Sequence, residues 1–331
     1  MVDETVSPVT SSPTTRVAAI DCGTNSIRLL VADVAADGTL TEVDRRLQIV
    51  RLGQGVDRTG ELAPEALERT FAASREYARV IAEAGATRVR FVATSATRDA
   101  RNRAAFAEGV RAAVGVDPEV ASGDEEAELS FRGATAGVAS RHAGPYLVVD
   151  LGGGSTELVL GTSTPKAALS LDVGSVRMTE RYLHSDPPAP DEVEAARADV
   201  RAALDGAART VPFGETVTLV GLAGSVTSVT AHALRLPSYQ RERVHGAVLP
   251  TDDVLAACDD LLHRTREERR ALGFMHPGRA DVIGAGALVW AEVVTRVRDD
   301  VARSQGAAGG ALTQVVTSES DILDGIALSL A

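Results

Sequence analysis

The chain has 331 residues, of which 44% are hydrophobic, 24% charged and 3% aromatic. This length predicts two domains, and the apolar fraction excludes a largely disordered chain. The formal net charge of -12 and the pI near 5.0 exclude a broad polyanion-binding surface, and so few aromatic residues argue against stacking on nucleic-acid bases. No run of about 18 apolar residues is present, so we expect neither a transmembrane helix nor a membrane or nucleic-acid partner.

Residues 1–15, MVDETVSPVTSSPTT, are polar and rich in Ser, Thr and Pro. This composition predicts a disordered tail, and it lacks the basic start and apolar stretch of a signal peptide. The two cysteines, Cys22 and Cys258, are too few for a disulfide framework or a zinc site. We therefore expect a cytoplasmic protein with one domain at 16–132 and a second at 133–331.

The first predicted elements alternate between strands and helices. VAAIDCGTNSIRLLVADV predicts two buried strands joined by a Gly/Asn turn, and EVDRRLQIVRLG predicts a third strand. Pro64 and Gly85 delimit a helix, because proline favours the first turn and glycine the C-terminal end. RVRFVATSAT predicts a buried strand that runs into a polar loop, and RNRAAFAEGVRAAVG predicts the next helix.

The later segments continue this pattern. ASGDEEAELSFRGATAGVAS predicts a loop and a helix that begins at Asp124 or Glu125, and PYLVVDLGGGSTELVLG predicts a second strand–turn–strand unit. DPPAP predicts a rigid connection before a helix that starts near Asp191, and LVGLAGSVTSV predicts a strand-to-helix turn. SDILDGIALSL predicts a final helix, which is a candidate to pack back on the first domain.

The two strand–turn–strand units repeat one pattern at a spacing of 129 residues. DCGTNSIRLLV and DLGGGSTELVL share an acid, a glycine, a serine and a leucine: Asp21/Asp150, Gly23/Gly152, Ser26/Ser155 and Leu29/Leu158. Two ordinary hairpins that happen to need glycine would not also require a preceding buried acid and a following hydroxyl. The repeat therefore predicts two similar halves, each presenting one such turn.

Both turns have the composition of phosphate-binding loops. Glycines let backbone amides point into a concavity, and hydroxyl and amide side chains add further donors. The candidate phosphate ligands of the two turns are Gly23, Thr24, Asn25, Ser26, Gly152, Gly153, Gly154, Ser155 and Thr156. Three carboxylates are candidate ligands of a hard cation, Mg²⁺ or Mn²⁺, that bridges to phosphate oxygens: Asp21, Asp150 and Glu157.

These motifs resemble the sugar kinase/Hsp70/actin superfamily and, more narrowly, the exopolyphosphatase/guanosine pentaphosphate phosphohydrolase (Ppx/GppA) family. The matching segments are AAIDCGTNSIRLLVADV, FVATSATRDARN, ASGDEEAELSFRGA, VVDLGGGSTELVLG, LVGLAGSVTSVTA and GRADVIGAGALV. The resemblance implies an α/β fold of two actin-like (ribonuclease H-like) domains with an interdomain cleft. Many members have Leu or Ile where Cys22 stands, and Ser where Thr24 stands. Because the chain ends at Ala331, without the HD-type domain of longer members, short polymers are the expected substrates.

The resemblance also implies roles for individual residues. It makes Glu126 the base that deprotonates the attacking water, with Glu125 as the nearest rival, and it places Arg98 near the scissile phosphate. Taken without the resemblance, the acids around Glu126 are more typical of a helix first turn, and the resemblance reverses this interpretation for Glu126 only. Gly224 and Ser225 match a position that contacts substrate in superfamily kinases, and a structural helix start is an equal alternative.

Clusters of arginine give this acidic chain local positive charge. Two segments are candidates for a track along a polyphosphate chain, the alternative being a solvated surface; they contain Arg88, Arg90, Arg98, Arg101 and Arg103, and Arg45, Arg46 and Arg51. The planar guanidinium suits phosphate because it bonds two oxygens at once.

We therefore expect a metal-dependent exopolyphosphatase, which removes terminal orthophosphate from inorganic polyphosphate of short length. The first alternative is hydrolysis of pppGpp to ppGpp, and the second is a regulator that binds (p)ppGpp without turnover. A superfamily kinase is less favoured, because Glu126 suits water rather than a sugar hydroxyl. The resemblance also suggests a homodimer.

Overall fold

A computed structural model describes residues 14–305 and 311–331 of the chain. Its strands are β1 Thr14–Cys22, β2 Ser26–Ala35, β3 Leu40–Ile49, β4 Arg88–Ala93, β5 Glu119–Val120, β6 Tyr146–Leu151, β7 Thr156–Gly161, β8 Pro165–Leu171, β9 Thr218–Leu222, β10 Val248–Pro250 and β11 Gln314–Thr317. Its helices are α1 Val56–Thr59, α2 Pro64–Ala84, α3 Ser95–Asp99, α4 Arg103–Val114, α5 Gly123–Val138, α6 Ser175–Tyr182, α7 Pro190–Ala207, α8 Ala223–Ala233, α9 Arg241–Val244, α10 Thr251–His263, α11 Arg266–Arg270, α12 Ile283–Gln305 and α13 Ile322–Leu328. None of the helices in these two ranges is long and apolar enough to cross a bilayer.

The first sheet has the strand order β3-β2-β1-β4-β5 and is covered on both faces. Because side chains alternate along a strand, Ala18 and Ile20 of β1 face the cluster that contains residues of α2 and α4. Val17 and Ala19 face the opposite cluster, which contains residues of α13. The first-sheet domain therefore comprises this sheet, α1–α4 and the last helix of the chain.

The second sheet has the order β10-β11-β9-β6-β7-β8. Leu147 and Val149 of β6 face a large cluster with α6, α7, α8, α10 and α12. Tyr146 and Val148 face the other side, where α5 packs. The second-sheet domain is built from these layers, and the two-domain α/β class expected from the sequence is confirmed.

Helices α5 and α13 cross where the two domains meet. A Cβ atom on Gly133 would lie only 1.9 Å from the carbonyl oxygen of Asp321, and one on Gly325 only 2.0 Å from that of Leu129. The backbones of the two helices therefore touch, and only glycine fits at either position. The predicted domain boundary between 132 and 133 falls inside α5, and it stays a prediction.

Most predicted elements are confirmed, and two details are wrong. The polar loop predicted after β4 begins with α3, because the carbonyl of Thr94 accepts from the amides of Thr97 and Arg98. The predicted tail ends too late: β1 includes Thr14 and Thr15, which pair with β2 through the backbone, and residues 1–13 lie outside the described residues. Helix α5 begins at Gly123, just before the predicted start, and Ser122 Oγ accepts from the amide of Glu125.

Candidate active site

Two tight turns, β1–β2 and β6–β7, carry the same hydrogen bond. The amide of Gly23 donates to the carbonyl oxygen of Ser26 at 2.9 Å, and the amide of Gly152 donates to that of Ser155 at 3.0 Å. These positions correspond in the sequence repeat. The internal repeat predicted from the sequence is therefore a structural repeat, with one turn from each domain.

Both turns open into one cleft between the domains. Among the predicted site residues, the cleft is lined by Asp21, Gly23, Thr24, Asn25, Ser26, Glu126, Asp150, Gly152, Gly153, Gly154, Ser155, Gly224 and Ser225. Four predicted residues do not line it: Arg98, Glu125, Thr156 and Glu157. Thr156 is fully buried, and its hydroxyl donates to the carbonyl of Val173, which makes it a structural residue of β7 rather than a cleft donor.

Backbone amides of the second turn are free to bind an anion. In the part of the chain that the structure describes, the amides of Gly153, Gly154 and Ser155 donate to no acceptor. The turn also touches the first turn, since a Cβ on Gly153 would lie 3.0 Å from Cβ of Thr24. Successive free amides at a glycine-rich turn form a site for phosphate oxygens.

The first turn pairs its acid with an arginine. Asp21 Oδ2 accepts from Arg28 Nη2 at 2.6 Å and from Arg28 Nε at 2.9 Å, and Arg28 also pairs with Asp321 of the loop before α13. Asp21 Oδ1 is buried and finds no hydrogen-bond partner within residues 14–305 and 311–331. Burial raises the pKa of Asp21, and the positive charge of Arg28 opposes that rise.

The second turn has a glutamate at the corresponding position. Asp150 lies directly across the strand pair from Glu157, as Asp21 lies across from Arg28. Asp150 Oδ2 accepts from Ser130 Oγ at 2.6 Å, and Glu157 Oε1 accepts from Ser170 Oγ at 2.7 Å. Burial, with the negative charges of Asp321 and Glu157, raises the pKa of Asp150 to about 7.

Glu126 projects from the first turn of α5 into the cleft wall, and its side chain is buried. Its Oε2 accepts from Arg98 Nη1 at 3.1 Å, while the same nitrogen donates to the carbonyl of Ala121 at 2.9 Å. Burial and the negative charge of Glu157 raise the pKa of Glu126 well above its usual value, against the opposing charge of Arg98. A carboxylate with a raised pKa is a better proton acceptor near neutral pH.

Glu125 was the alternative to Glu126 as the catalytic base, and the structure places only Glu126 in the cleft. Successive helix residues point about 100° apart, so neighbouring side chains leave the helix on different faces. The Glu125 side chain is 41% exposed and pairs with Arg90 at 2.7 Å, outside the cleft. A catalytic role for Glu125 is therefore not supported by its position.

The carboxylates suit a cation that also binds the substrate. Within the described residues, no group of three or more His, Cys, Asp or Glu side chains is arranged as a metal site. Mg²⁺, however, often takes only one or two carboxylates together with phosphate oxygens and water. Asp21, whose Oδ1 has no partner among the described residues, and Asp150, which has Glu157 rather than an arginine across the strand pair, fit that requirement. Glu157 stands across the strand pair from Asp150 and does not line the cleft.

Two arginines of the cleft were missed by sequence reasoning. Arg28 and Arg279 both line it. Arg279 makes no side-chain hydrogen bond or ion pair with any described residue, and burial lowers its pKa, so a bound anion would stabilise its charge. The strand register could have identified Arg28 as the partner of Asp21, whereas nothing in GRADVIGAGALV distinguishes Arg279 from a surface arginine.

Substitution of Gly174, which precedes α6, tests whether the second turn binds phosphate. A Cβ there would lie 2.5 Å from the carbonyl oxygen of Gly153, so Gly174→Ala must displace the turn at a cost of about 1–3 kcal/mol. We expect its Kd for tripolyphosphate, measured by calorimetry, to rise about tenfold or more. The control Gly206→Ala, whose nearest neighbour atom would lie 3.6 Å away, keeps the wild-type Kd. Equal Kd values for both variants would contradict this role of the turn.

Comparisons with known proteins agree with this geometry. The model of the Ppx/GppA phosphatase family matches residues 30–310. Exopolyphosphatase 2 of Mycobacterium tuberculosis (strain CDC 1551 / Oshkosh) is 52% identical over 325 residues, which cover 96% of this chain and 99% of that protein.

Solved structures are similar over nearly the whole chain. The crystal structure of an exopolyphosphatase-like protein has a TM-score of 0.92 at 49% identity and covers 96% of this chain and 97% of its own. The Ppx/GppA family member of Aquifex aeolicus has a TM-score of 0.75 at 29% identity, with 96% and 97% covered. The predicted pair of actin-like domains is thereby confirmed, and the chain belongs to the Ppx/GppA phosphatase family.

Proposed function

We propose that this protein is an exopolyphosphatase that removes terminal orthophosphate from short inorganic polyphosphate. The observation that carries the proposal is the cleft, where two glycine-rich turns lie opposite each other and Glu126 is buried at the wall. The 52% identity to a protein named exopolyphosphatase 2 supports the same substrate class. The net negative charge of the chain does not oppose the binding of polyphosphate, because Arg28 and Arg279 supply positive charge inside the cleft.

In the proposed reaction, the terminal phosphate lies between the two turns. The free amides of Gly153, Gly154 and Ser155 donate to its oxygens, and Arg28 and Arg279 offset its negative charge. Phosphoryl transfer passes through a loose transition state, so positioning and charge stabilisation supply most of the acceleration. The site needs no covalent intermediate.

In this proposal, the Glu126 carboxylate is the group that accepts a proton from the attacking water. This carboxylate orients a water molecule and takes one proton as the water oxygen bonds to the terminal phosphorus. The bond from that phosphorus to the bridging oxygen breaks, and the shortened polyphosphate leaves. Arg98 holds the Glu126 carboxylate in this structure, so its first role is to orient the base; its contact with the scissile phosphate remains part of the proposal.

Asp21 and Asp150 would hold the divalent cation, Mg²⁺ or Mn²⁺, and Glu157 would act from its place across the strand pair from Asp150. When bound, the cation neutralises charge on the phosphate oxygens. Chelation of divalent metal with EDTA is therefore expected to abolish phosphate release, and added Mg²⁺ to restore it.

The pH dependence of the melting temperature of the metal-free protein should report the free-energy cost of burying an ionised Asp150. Its pKa is raised to about 7, so the folded chain keeps a proton that the unfolded chain loses near pH 4. The stability from this group is complete below about pH 4 and is lost as the pH rises through about 7. We expect Asp150→Asn, which cannot ionise, to melt above wild type at pH 8 in EDTA, with the difference vanishing near pH 4. A variant that melts below wild type at pH 8 would contradict this charge balance.

Hydrolysis of pppGpp is the second candidate, and one observation favours it. A groove adjoins the cleft and shares Arg28, Gly224 and Arg279 with it. It is also lined by Tyr239 and Phe274, which offer apolar faces to a base, and by further arginines, Arg45 and Arg46. A polyphosphate needs no apolar face, whereas a guanosine does. A regulator that binds (p)ppGpp without turnover would use the same groove.

The experiment that separates these candidates is phosphate release from short polyphosphate and from pppGpp, side by side, with Mg²⁺. Faster release from polyphosphate supports the proposal, and faster release from pppGpp supports the second candidate. Tight ppGpp binding without release from either substrate would make the protein a sensor. The cytoplasmic location expected from the sequence and the homodimer suggested by the family resemblance remain predictions.

The arginine track expected from the sequence is only partly supported. Most of those arginines are already paired within the chain; Arg88 donates to the carbonyl of Leu330, Arg90 pairs with Glu119 and Glu125, and Arg51 pairs with Asp281. Arg45 and Arg46 are paired as well, Arg45 with Glu42 and Asp324 and Arg46 with Asp44 and Glu76. Both nevertheless line the groove beside the cleft, and for that reason they are the members of the track that we keep in the proposal.

A further inference from the structure

Beside the cleft, one arginine of α6 bridges the two domains. Arg177 Nη1 pairs with Asp57 Oδ1 at 2.5 Å, and its Nη2 pairs with Asp99 Oδ2 at 2.5 Å. Both aspartates belong to the first-sheet domain, whereas α6 packs in the second-sheet domain. The Arg177 side chain is only 11% exposed, so solvent screens these pairs less than it would on an open surface. We call Arg177, Asp57 and Asp99 the latch.

The same guanidinium also holds the second phosphate turn. Arg177 Nε donates to the carbonyl oxygen of Gly154 at 2.7 Å. All three guanidinium nitrogens are therefore engaged, two with the other domain and one with the turn. Two neighbours on α6 also reach the first-sheet domain: Arg181 pairs with Asp57 at 2.6 Å, and Glu180 accepts from the amide of Gly55 at 3.1 Å. Among the described residues, neither of these two side chains forms a hydrogen bond with the turn.

Holding the Gly154 carbonyl fixes a donor of the cleft. In a planar trans peptide, the carbonyl and the following amide point in opposite directions. The amide that follows Gly154 belongs to Ser155, which lines the cleft and whose amide has no acceptor among the residues described. By binding the Gly154 carbonyl, Arg177 fixes the orientation of this peptide plane, so the Ser155 amide points away from Arg177.

We propose that Arg177 is a positioning residue that couples closure of the cleft to the orientation of the second phosphate turn. This inference rests on the proposed function, because the turn must bind a phosphate for its orientation to matter. When the domains are closed, Asp57 and Asp99 hold the guanidinium where it reaches Gly154. When they separate, those two partners are lost and the turn is held less firmly.

The double variant Asp57→Asn/Asp99→Asn removes the latch without touching the turn. By charge alone, two fewer negative groups near an anion-binding cleft should lower KM for polyphosphate. The latch predicts the opposite, because substrate binding must then supply the free energy of closure. We expect KM to rise about 5–150-fold, the usual range of coupling between sites. We expect kcat to fall as well, but by less than when Arg177 itself is replaced, because Arg177 Nε keeps its bond to the carbonyl of Gly154.

Arg177→Lys tests the link to the turn. A lysine keeps the positive charge, but a single ammonium cannot reach three acceptors in the fixed fork of a guanidinium. We expect kcat to fall about tenfold or more in addition to a higher KM. Arg181→Gln, which removes a pair with Asp57 but no contact to Gly154, should raise KM slightly and leave kcat unchanged. Arg298→Gln, which loses only a pair with the exposed Asp252, serves as the neutral control.

Small-angle scattering gives a readout that does not depend on turnover. Without ligand, the double variant should have a larger radius of gyration than wild type, and tripolyphosphate should reduce that difference. An unchanged KM and an unchanged scattering curve in the double variant would overturn the coupling, and a wild-type kcat in Arg177→Lys would overturn the role at the turn. If wild type releases no phosphate from polyphosphate, the proposed function fails, while scattering and tripolyphosphate calorimetry still decide the latch.

Discussion

Glu126→Gln is expected to lower kcat for polyphosphate about 10²–10⁴-fold, with KM within about threefold of wild type. Among the three acids in the first turn of α5, Glu126 is the buried one that lines the cleft. Glutamine has nearly the same size, but its amide cannot take the proton of the attacking water. The measurement is steady-state phosphate release at saturating Mg²⁺.

Glu125→Gln is the matched control for this experiment. Its carboxylate is next in the chain but is 41% exposed and bound to Arg90, so we expect kcat to stay within about twofold of wild type. Glu126→Gln should also melt no lower than wild type in EDTA, because burial already disfavours the charged carboxylate. A full loss in Glu125→Gln, or a wild-type kcat in Glu126→Gln, would refute the assignment of the base.

Gly133→Ala is expected to give the largest loss of stability. The new Cβ would lie 1.9 Å from the carbonyl oxygen of Asp321 and 2.9 Å from the amide nitrogen of Gly325, both backbone atoms of a packed crossing. Helices α5 and α13 must move apart, at a cost of about 3 kcal/mol or more in the free energy of unfolding. Activity should fall as well, because Asp321 holds Arg28 in the cleft.

Gly137→Ala provides the control one helical turn further along α5. Its Cβ would lie 3.6 Å from Cε1 of His245, an ordinary contact, and alanine favours a helix over glycine by about 0.5–1 kcal/mol. We expect this variant to be as stable as wild type or slightly more stable in chemical denaturation. Equal denaturation midpoints for Gly133→Ala and wild type would contradict the tight helix crossing.

The two turns could be predicted from sequence because their signals are local. A buried acid, a glycine and a serine recur at one spacing between apolar runs, and strand periodicity fixes which side chains face the core. Pro64 and Gly85 delimit α2 for a similar reason, since each acts on its own helix end. Such features depend on neighbours a few residues away.

The rest of the site depends on contacts between distant segments. Arg279 becomes a cleft residue only because the segment before α12 folds against α8, and Asp321 meets Arg28 across 293 positions of chain. The choice between Glu125 and Glu126 required the rotation of α5 about its axis, which acidic composition does not specify. Arg28 and Glu157 already stand at equivalent positions of the sequence repeat, whereas their pairing across the strands with Asp21 and Asp150 is seen in the structure.

Hydrolysis of tripolyphosphate in ¹⁸O-labelled water tests the central claim most directly. If the two turns hold the terminal phosphate and Glu126 presents water to it, the label must enter the released orthophosphate. Mass spectrometry should then find one ¹⁸O in orthophosphate and none in pyrophosphate, with the labelled product scarcely detectable for Glu126→Gln. Label in pyrophosphate would mean that water attacks the central phosphorus, and it would contradict this account of the site.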